Sequence, residues 1–331
     1  MEKNEFLFDL KHPETAYTGP MSYSYFPSNG AVSSTVGTVT PPEGEHGLYW
    51  FLDTVMHKNP DDVDASKTQM PHFHYKGYET FFVDSGSLYL YINGMRVKCE
   101  KGDILHYQPG QSQGMLFLDE VKFRGTYHDL FKHDEFTDVT RVKKYMPELN
   151  DDATLTALAP YGRMDSNGME PFLWKDAEKE QCSAVKHVDR PHAAYEFPGV
   201  SMRVVVERWE NGGTKELDCA VMEPGFTAKW VQYPTIKELF YIRSGKVKFN
   251  IMGQEFIADD ECVVVAPRYA PRSIEVLEKT EMYELGGQSY WSLFLQSYAS
   301  IQHHDPERLT PETIDALKKR FDIQIESIGM K

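Results

Sequence analysis

The chain repeats itself, and that repeat limits the possible fold more than any other feature. Residues 77–112, GYETFFVDSGSLYLYINGMRVKCEKGDILHYQPGQS, align with residues 236–271, IKELFYIRSGKVKFNIMGQEFIADDECVVVAPRYAP. Glu79 falls on Glu238, Gly86 on Gly245, Gly94 on Gly253 and, with one gap, Pro109 on Pro267. Each copy, with its flanks, spans about a hundred residues, enough to bury a core of its own, so the pattern describes a duplicated domain and not a solenoid.

Within each copy the signal is β. In GSLYLYINGMRVKCEKGDILHYQPG, Leu88, Leu90 and Ile92 fall on one face and Tyr89 and Tyr91 on the other, as period-two alternation requires. Turns are expected at Asn93-Gly94 and at Glu100-Lys101-Gly102. GMLFLDEVKFRGTYHDLF reads as a further hairpin turning at Asp119-Glu120. Residues 131–185 are charged and rich in Asn, Asp, Gly and Pro, which suggests a linker with short helical turns. LTPETIDALKKRF, with Thr310 as N-cap, Pro311 at the first helical position and Glu312 in the first turn, predicts a C-terminal helix. The expected organisation is an N-terminal barrel over 1–150, then a linker, a second barrel and the helix over 151–331.

The chemistry is concentrated in MPHFHYKGYETFFVDSG, residues 70–86. His72 and His74 share a face of a strand. Glu79 comes five residues later, an odd separation, so a turn at Lys76-Gly77 is needed to return it to the same centre. An HxH pair alone arises often by chance; the glutamate, the glycine and the repeat give it weight. Two imidazoles and a carboxylate with open positions suit Fe(II), Mn(II), Co, Ni or Zn, and the residues do not choose among them.

HFHYKGYETFFVDSG fits the first signature of the cupin superfamily, HxH, four residues, Glu, six residues, Gly. GDILHYQPG resembles the start of the second signature, and the duplication makes the chain resemble a bicupin of the quercetin 2,3-dioxygenase kind. The resemblance implies an all-β fold of two tandem double-stranded β-helix (jelly-roll) barrels, with a divalent metal at His72, His74 and Glu79. Glu79 would also move a proton to or from a phenolic substrate. The family's fourth ligand, a histidine five residues past the motif-two proline, falls here on Gly114. His128 is the leading substitute, because a hairpin at 119–120 would set it opposite Gln111; Gln113 is a second. His106 is expected as a pocket acid or base, and Tyr75, Tyr78 and Phe81, with Gln113, as pocket wall. In the second copy the histidine positions become Val231 and Tyr233 and the motif-two position Arg272, so that barrel is expected to bind no metal and to act as scaffold. Arg268 and Arg272 read as surface cations, with a place in a second pocket as the alternative, and His303-His304 reads as a solvated loop ahead of the helix.

Cupins host many chemistries. The leading expectation is a metal-dependent, ring-cleaving dioxygenase acting on a small phenolic compound. The alternatives are an oxygen-independent Lewis-acid hydrolase, isomerase or decarboxylase acting on a cyclic ketone, and a barrel that only binds a ligand. A formal net charge of -15 argues against nucleic acid and anionic membranes. The polar N-terminus, the absence of a long apolar run and four scattered cysteines (Cys99, Cys182, Cys219, Cys262) suggest buried free thiols and a cytoplasmic protein. A homodimer is expected by analogy with cupins.

Overall fold

The computed structural model describes residues 4–12, 21–26, 31–38, 50–56, 69–74, 78–111, 113–119, 121–127, 162–164, 175–213, 216–232, 238–285 and 290–331, with 21–74 and 162–164 described through their backbone. The chain divides into two compact units, residues 16–187 and residues 1–15 together with 188–331.

The first unit is two sheets around one core. Six strands run in the order Gly162–Met164, Gln69–His74, Gln113–Phe117, Ser87–Ile92, Met95–Glu100 and Lys175–Asp176. Seven run in the order Val185–His187, Asp103–Tyr107, Glu79–Ser85, Val121–Tyr127, Trp50–Met56, Ala31–Thr38 and Met21–Phe26. Leu88, Leu90, Ile92, Val97 and Met115 from one sheet pack with Phe81, Val83, Leu105 and Tyr107 from the other. The turn at Asn93-Gly94 is where the sequence puts it: Ile92 pairs with Met95, and both turn residues have positive φ, 51° and 77°. That is the geometry a tight two-residue hairpin needs.

The expected hairpin at Asp119-Glu120 does not form. Gln113–Phe117 pairs with strands of one sheet and Val121–Tyr127 with strands of the other. The chain there crosses between sheets, pinned by the Asp119 carboxylate, which accepts from the backbone N–H and hydroxyl of Ser87 at 2.6 and 2.9 Å. Alternation identifies strands but not their partners. Three short strands within or at the end of the stretch read as a linker, Gly162–Met164, Lys175–Asp176 and Val185–His187, extend the two sheets.

In the second unit, the ten strands form one connected sheet system, in which Glu238–Ile251 and Arg272–Glu284 are long enough to serve both faces. Gly245, at φ 98°, marks the bend in the first of these. A Cβ there would meet the Lys279 carbonyl and lie 2.6 Å from Thr280 Cα, so the two backbones approach this closely only at glycine. The core includes Phe240, Phe249, Val264, Ile274 and Trp230, with Trp291, Phe294 and Leu295 supplied by a helix, α1 (Tyr290–His304). The sequence reading passed over α1; its aromatic residues at helical spacing form the buried face. His303 and His304 end this helix and are exposed, so they are not part of a loop. The second helix, α2 (Pro311–Arg320), starts as expected, with Thr310 Oγ1 accepting from Thr313 N–H at 3.3 Å. Beyond it, Ile323–Met330 returns as a strand against Phe226–Gln232. At the other end of the chain, Leu7–Asp9 pairs with Cys262–Ala266 of the same unit. Among the described residues no helix is long and apolar enough to cross a membrane.

All four cysteines are buried and free. Burial pushes the thiols of Cys99, Cys182 and Cys219 above the ordinary range, and that of Cys262 up to about 12. A raised thiol stays protonated at neutral pH and is a poor nucleophile. Under native conditions at pH 8, a disulfide-exchange chromophore is expected to label none of the four within minutes, and to label four per chain in guanidinium. Rapid native labelling would contradict this packing.

Candidate metal centre

Facing residues along paired strands share a side of the sheet. Glu79 opposes Tyr107, and Thr80 opposes His106. Glu79 is therefore on the core side with Phe81, Val83, Leu105 and Tyr107, and His106 lies on the other. The carboxylate is 4% exposed. From the neighbouring sheet Gln113, 1% exposed, brings its amide to it: Nε2–H donates to Glu79 Oε2 at 2.9 Å. Gln113 Oε1 is buried with no hydrogen-bond partner among the described residues. Backbone register sets His72 directly across from Gln113 and pairs His74 with Gly162.

The other expected site residues are placed as follows. His106, 2% exposed, has Nδ1 3.0 Å from Thr80 Oγ1 and stacks on Tyr78, ring centroids 6.2 Å apart and 11° from parallel. Phe81 is core, its ring 5.9 Å from Tyr107. His128 and Tyr75 lie outside the described residues, and the hairpin that set His128 opposite Gln111 is absent. Among the described residues no cluster of three His, Cys, Asp or Glu side chains is assembled.

The duplication supplies an internal comparison. Gln113 opposes Ile92, two residues before Gly94; Arg272 opposes Ile251, two residues before Gly253. Both Gln113 and Arg272 sit 34 residues beyond the glutamate they bond. The motif-two position of the first barrel is thus Gln113 and not Gly114. Counting from the proline misses by one because the loop after Pro267 is one residue longer; counting from the glutamates would have found it. By the same register Trp230, paired with Arg272, stands where His72 stands, one residue before the Val231 expected from sequence.

Arg272 is not a surface cation. Its guanidinium and the Glu238 carboxylate form an ion pair in which both side chains are 2% exposed. Arg272 also donates to the carbonyls of Ala270 and Pro267 at 3.2 and 3.4 Å, and lies 5.9 Å from the Trp230 ring centroid. A buried carboxylate is costly unless a cation and hydrogen bonds compensate it. In the second barrel the chain carries that cation covalently. In the first, an uncharged amide stands at the same position.

No family profile matches the chain, and no curated protein does. Solved structures do match its fold. The Lactobacillus farciminis oxalate decarboxylase–formate complex superposes with a TM-score of 0.50 at 14% identity, over 94% of this chain and 95% of that one. A single-residue variant of the Bacillus subtilis oxalate decarboxylase gives 0.50 at 14%, over 100% and 90%. A further oxalate decarboxylase gives 0.50 at 15%, over the same shares. The fold is a tandem cupin. At such identities the likeness is one of architecture.

Removing one partner of a buried pair strands the other charge, whereas removing both does not. Arg272→Met is expected to destabilise the second unit by about 3–5 kcal/mol, and Glu238→Gln combined with Arg272→Met to recover most of that loss. Denaturant unfolding followed by tryptophan fluorescence measures both. Equal losses in the single and double variants would contradict the pairing.

Proposed function

We propose that the first barrel is the catalytic half of a metal-dependent enzyme, with a divalent ion held by His72, His74 and Glu79. The observation that carries this reading is the contrast between the barrels. The buried glutamate of the second faces an arginine of the chain; the equivalent glutamate of the first faces a neutral glutamine whose strand register sets it across from His72. The residues fit a cation: a carboxylate in an apolar interior, two strand-borne imidazoles and an amide oxygen lacking a donor. When bound, the ion would act as a Lewis acid on a substrate oxygen.

The chain's own part is positioning and exclusion. Gln113 fixes the Glu79 carboxylate through Oε2. Phe81, Leu90, Ile92, Leu105 and Met115 line the core side with apolar surface, keep water away and strengthen the electrostatic interactions within. The second barrel, its equivalent site closed by its own ion pair, is scaffold.

Of the possible reactions we favour an oxygen-independent one, in its most specific form the decarboxylation of a small carboxylic acid. Support comes from the oxalate decarboxylases, whose fold this chain follows over nearly the full length of both. The ring-cleaving dioxygenase is the second reading, favoured by the HxH and glutamate spacing. It loses support where the expected aromatic wall is otherwise engaged, Phe81 on Tyr107 and Tyr78 on His106.

The test is metal content and oxygen dependence together. About one divalent ion per chain is expected in the purified protein, lost in His74→Ala, with turnover of small carboxylic acids unchanged under strict anaerobiosis. Turnover that stops without dioxygen would transfer the assignment to the dioxygenase. Absence of metal after reconstitution would sink both.

A further inference from the structure

We propose that Gln113 is the fourth ligand of this ion, through its amide oxygen, and that it biases the site towards harder divalent ions such as Mn(II). The proposal rests on the metal-binding reading of His72, His74 and Glu79. Three observations on Gln113 itself carry it.

The first is position. Register and spacing place Gln113 where the second barrel puts Arg272, the residue whose positive group meets the buried glutamate. The second is orientation. With Nε2–H donating to Glu79 Oε2 at 2.9 Å, the amide cannot be turned over without setting two acceptor oxygens against each other. Its oxygen is therefore committed to the remaining direction. The third is satisfaction. That oxygen is buried and accepts from no donor among the described residues, a state that carries a desolvation cost. A cation beside Glu79 would remove the cost.

Glutamine also preserves charge. Two imidazoles, a carboxylate and an amide sum to the same −1 as three imidazoles and a carboxylate, so the substitution changes the character of the ligands and not the electrostatics of the site. Replacing an imidazole by an amide oxygen moves the donor set towards the oxygen ligands that suit Mn(II) and away from those that favour Ni(II) and Zn(II). The same residue then does two things: its N–H orients the carboxylate ligand, and its C=O completes the shell.

The experiment is calorimetric titration of chelator-stripped, full-length protein with Mn(II) and Ni(II), beside the visible spectrum of the Co(II) form. Gln113→Leu is expected to weaken Mn(II) binding by about 10-fold or more and to change the Co(II) bands. Gln113→His is expected to raise the preference for Ni(II) over Mn(II) by about 10-fold or more. Wild type and both variants binding each ion equally, with identical Co(II) spectra, would overturn the proposal while leaving the three-residue site intact. Wild type that binds no ion would instead overturn the reading beneath it. Should the leucine variant fail to fold, the histidine variant, isosteric enough to pack, decides through the Ni(II)-to-Mn(II) ratio alone.

Discussion

A carboxylate inside a wall of apolar side chains is the constraint on which both barrels turn. Burying Glu79 and Glu238 has no merit as packing; each requires a positive or strongly donating group delivered from another strand at the same depth. That requirement links elements far apart in the chain. The strand bearing the glutamate, the strand bearing Gln113 or Arg272, and the strand bearing His72 or Trp230 must all reach one point in register. The jelly-roll topology, with its crossings between sheets, brings them there.

The two copies answer the same electrostatic problem differently. The second uses a guanidinium, which cannot leave, whose remaining N–H groups reach carbonyls of the turn before it and which lies against an indole. This solution is permanent and chemically inert. The first pairs its carboxylate with an amide, and the strand across from that amide carries His72 and His74. On the proposed reading, such divergence lets one barrel hold shape while the other keeps a site for an ion.

Much of this architecture was legible in the residues. Alternation, the Asn93-Gly94 turn and the capped helix after Thr310 are local patterns, and local physics decides them. The buried thiols followed from composition. What escaped was set by non-local pairing. A turn-like Asp119-Glu120 looks the same whether the next strand folds back on its neighbour or crosses to the opposite sheet, and that one ambiguity decided where His128 was expected. Arg272 read as a surface cation because its partner lies 34 residues earlier. His106 lies on the face of the sheet opposite Glu79, a matter of odd or even count that only the register with Thr80 and Glu79 resolves. The helix α1 escaped because its aromatic residues resemble the strands around it.

The pairing of Leu7–Asp9 with Cys262–Ala266 has a consequence for how the molecule is made. Lys11 and Asp259, 248 residues apart in sequence, meet at 2.6 Å beside that pairing. During synthesis the early strand leaves the ribosome long before its neighbour exists, and the whole intervening unit, residues 16–187, is made first. The early strand must wait unpaired, with Phe6 and Phe8, both core residues, kept from straying. Completion of the last barrel therefore closes a loop of about 250 residues, with the entropy cost such closure carries.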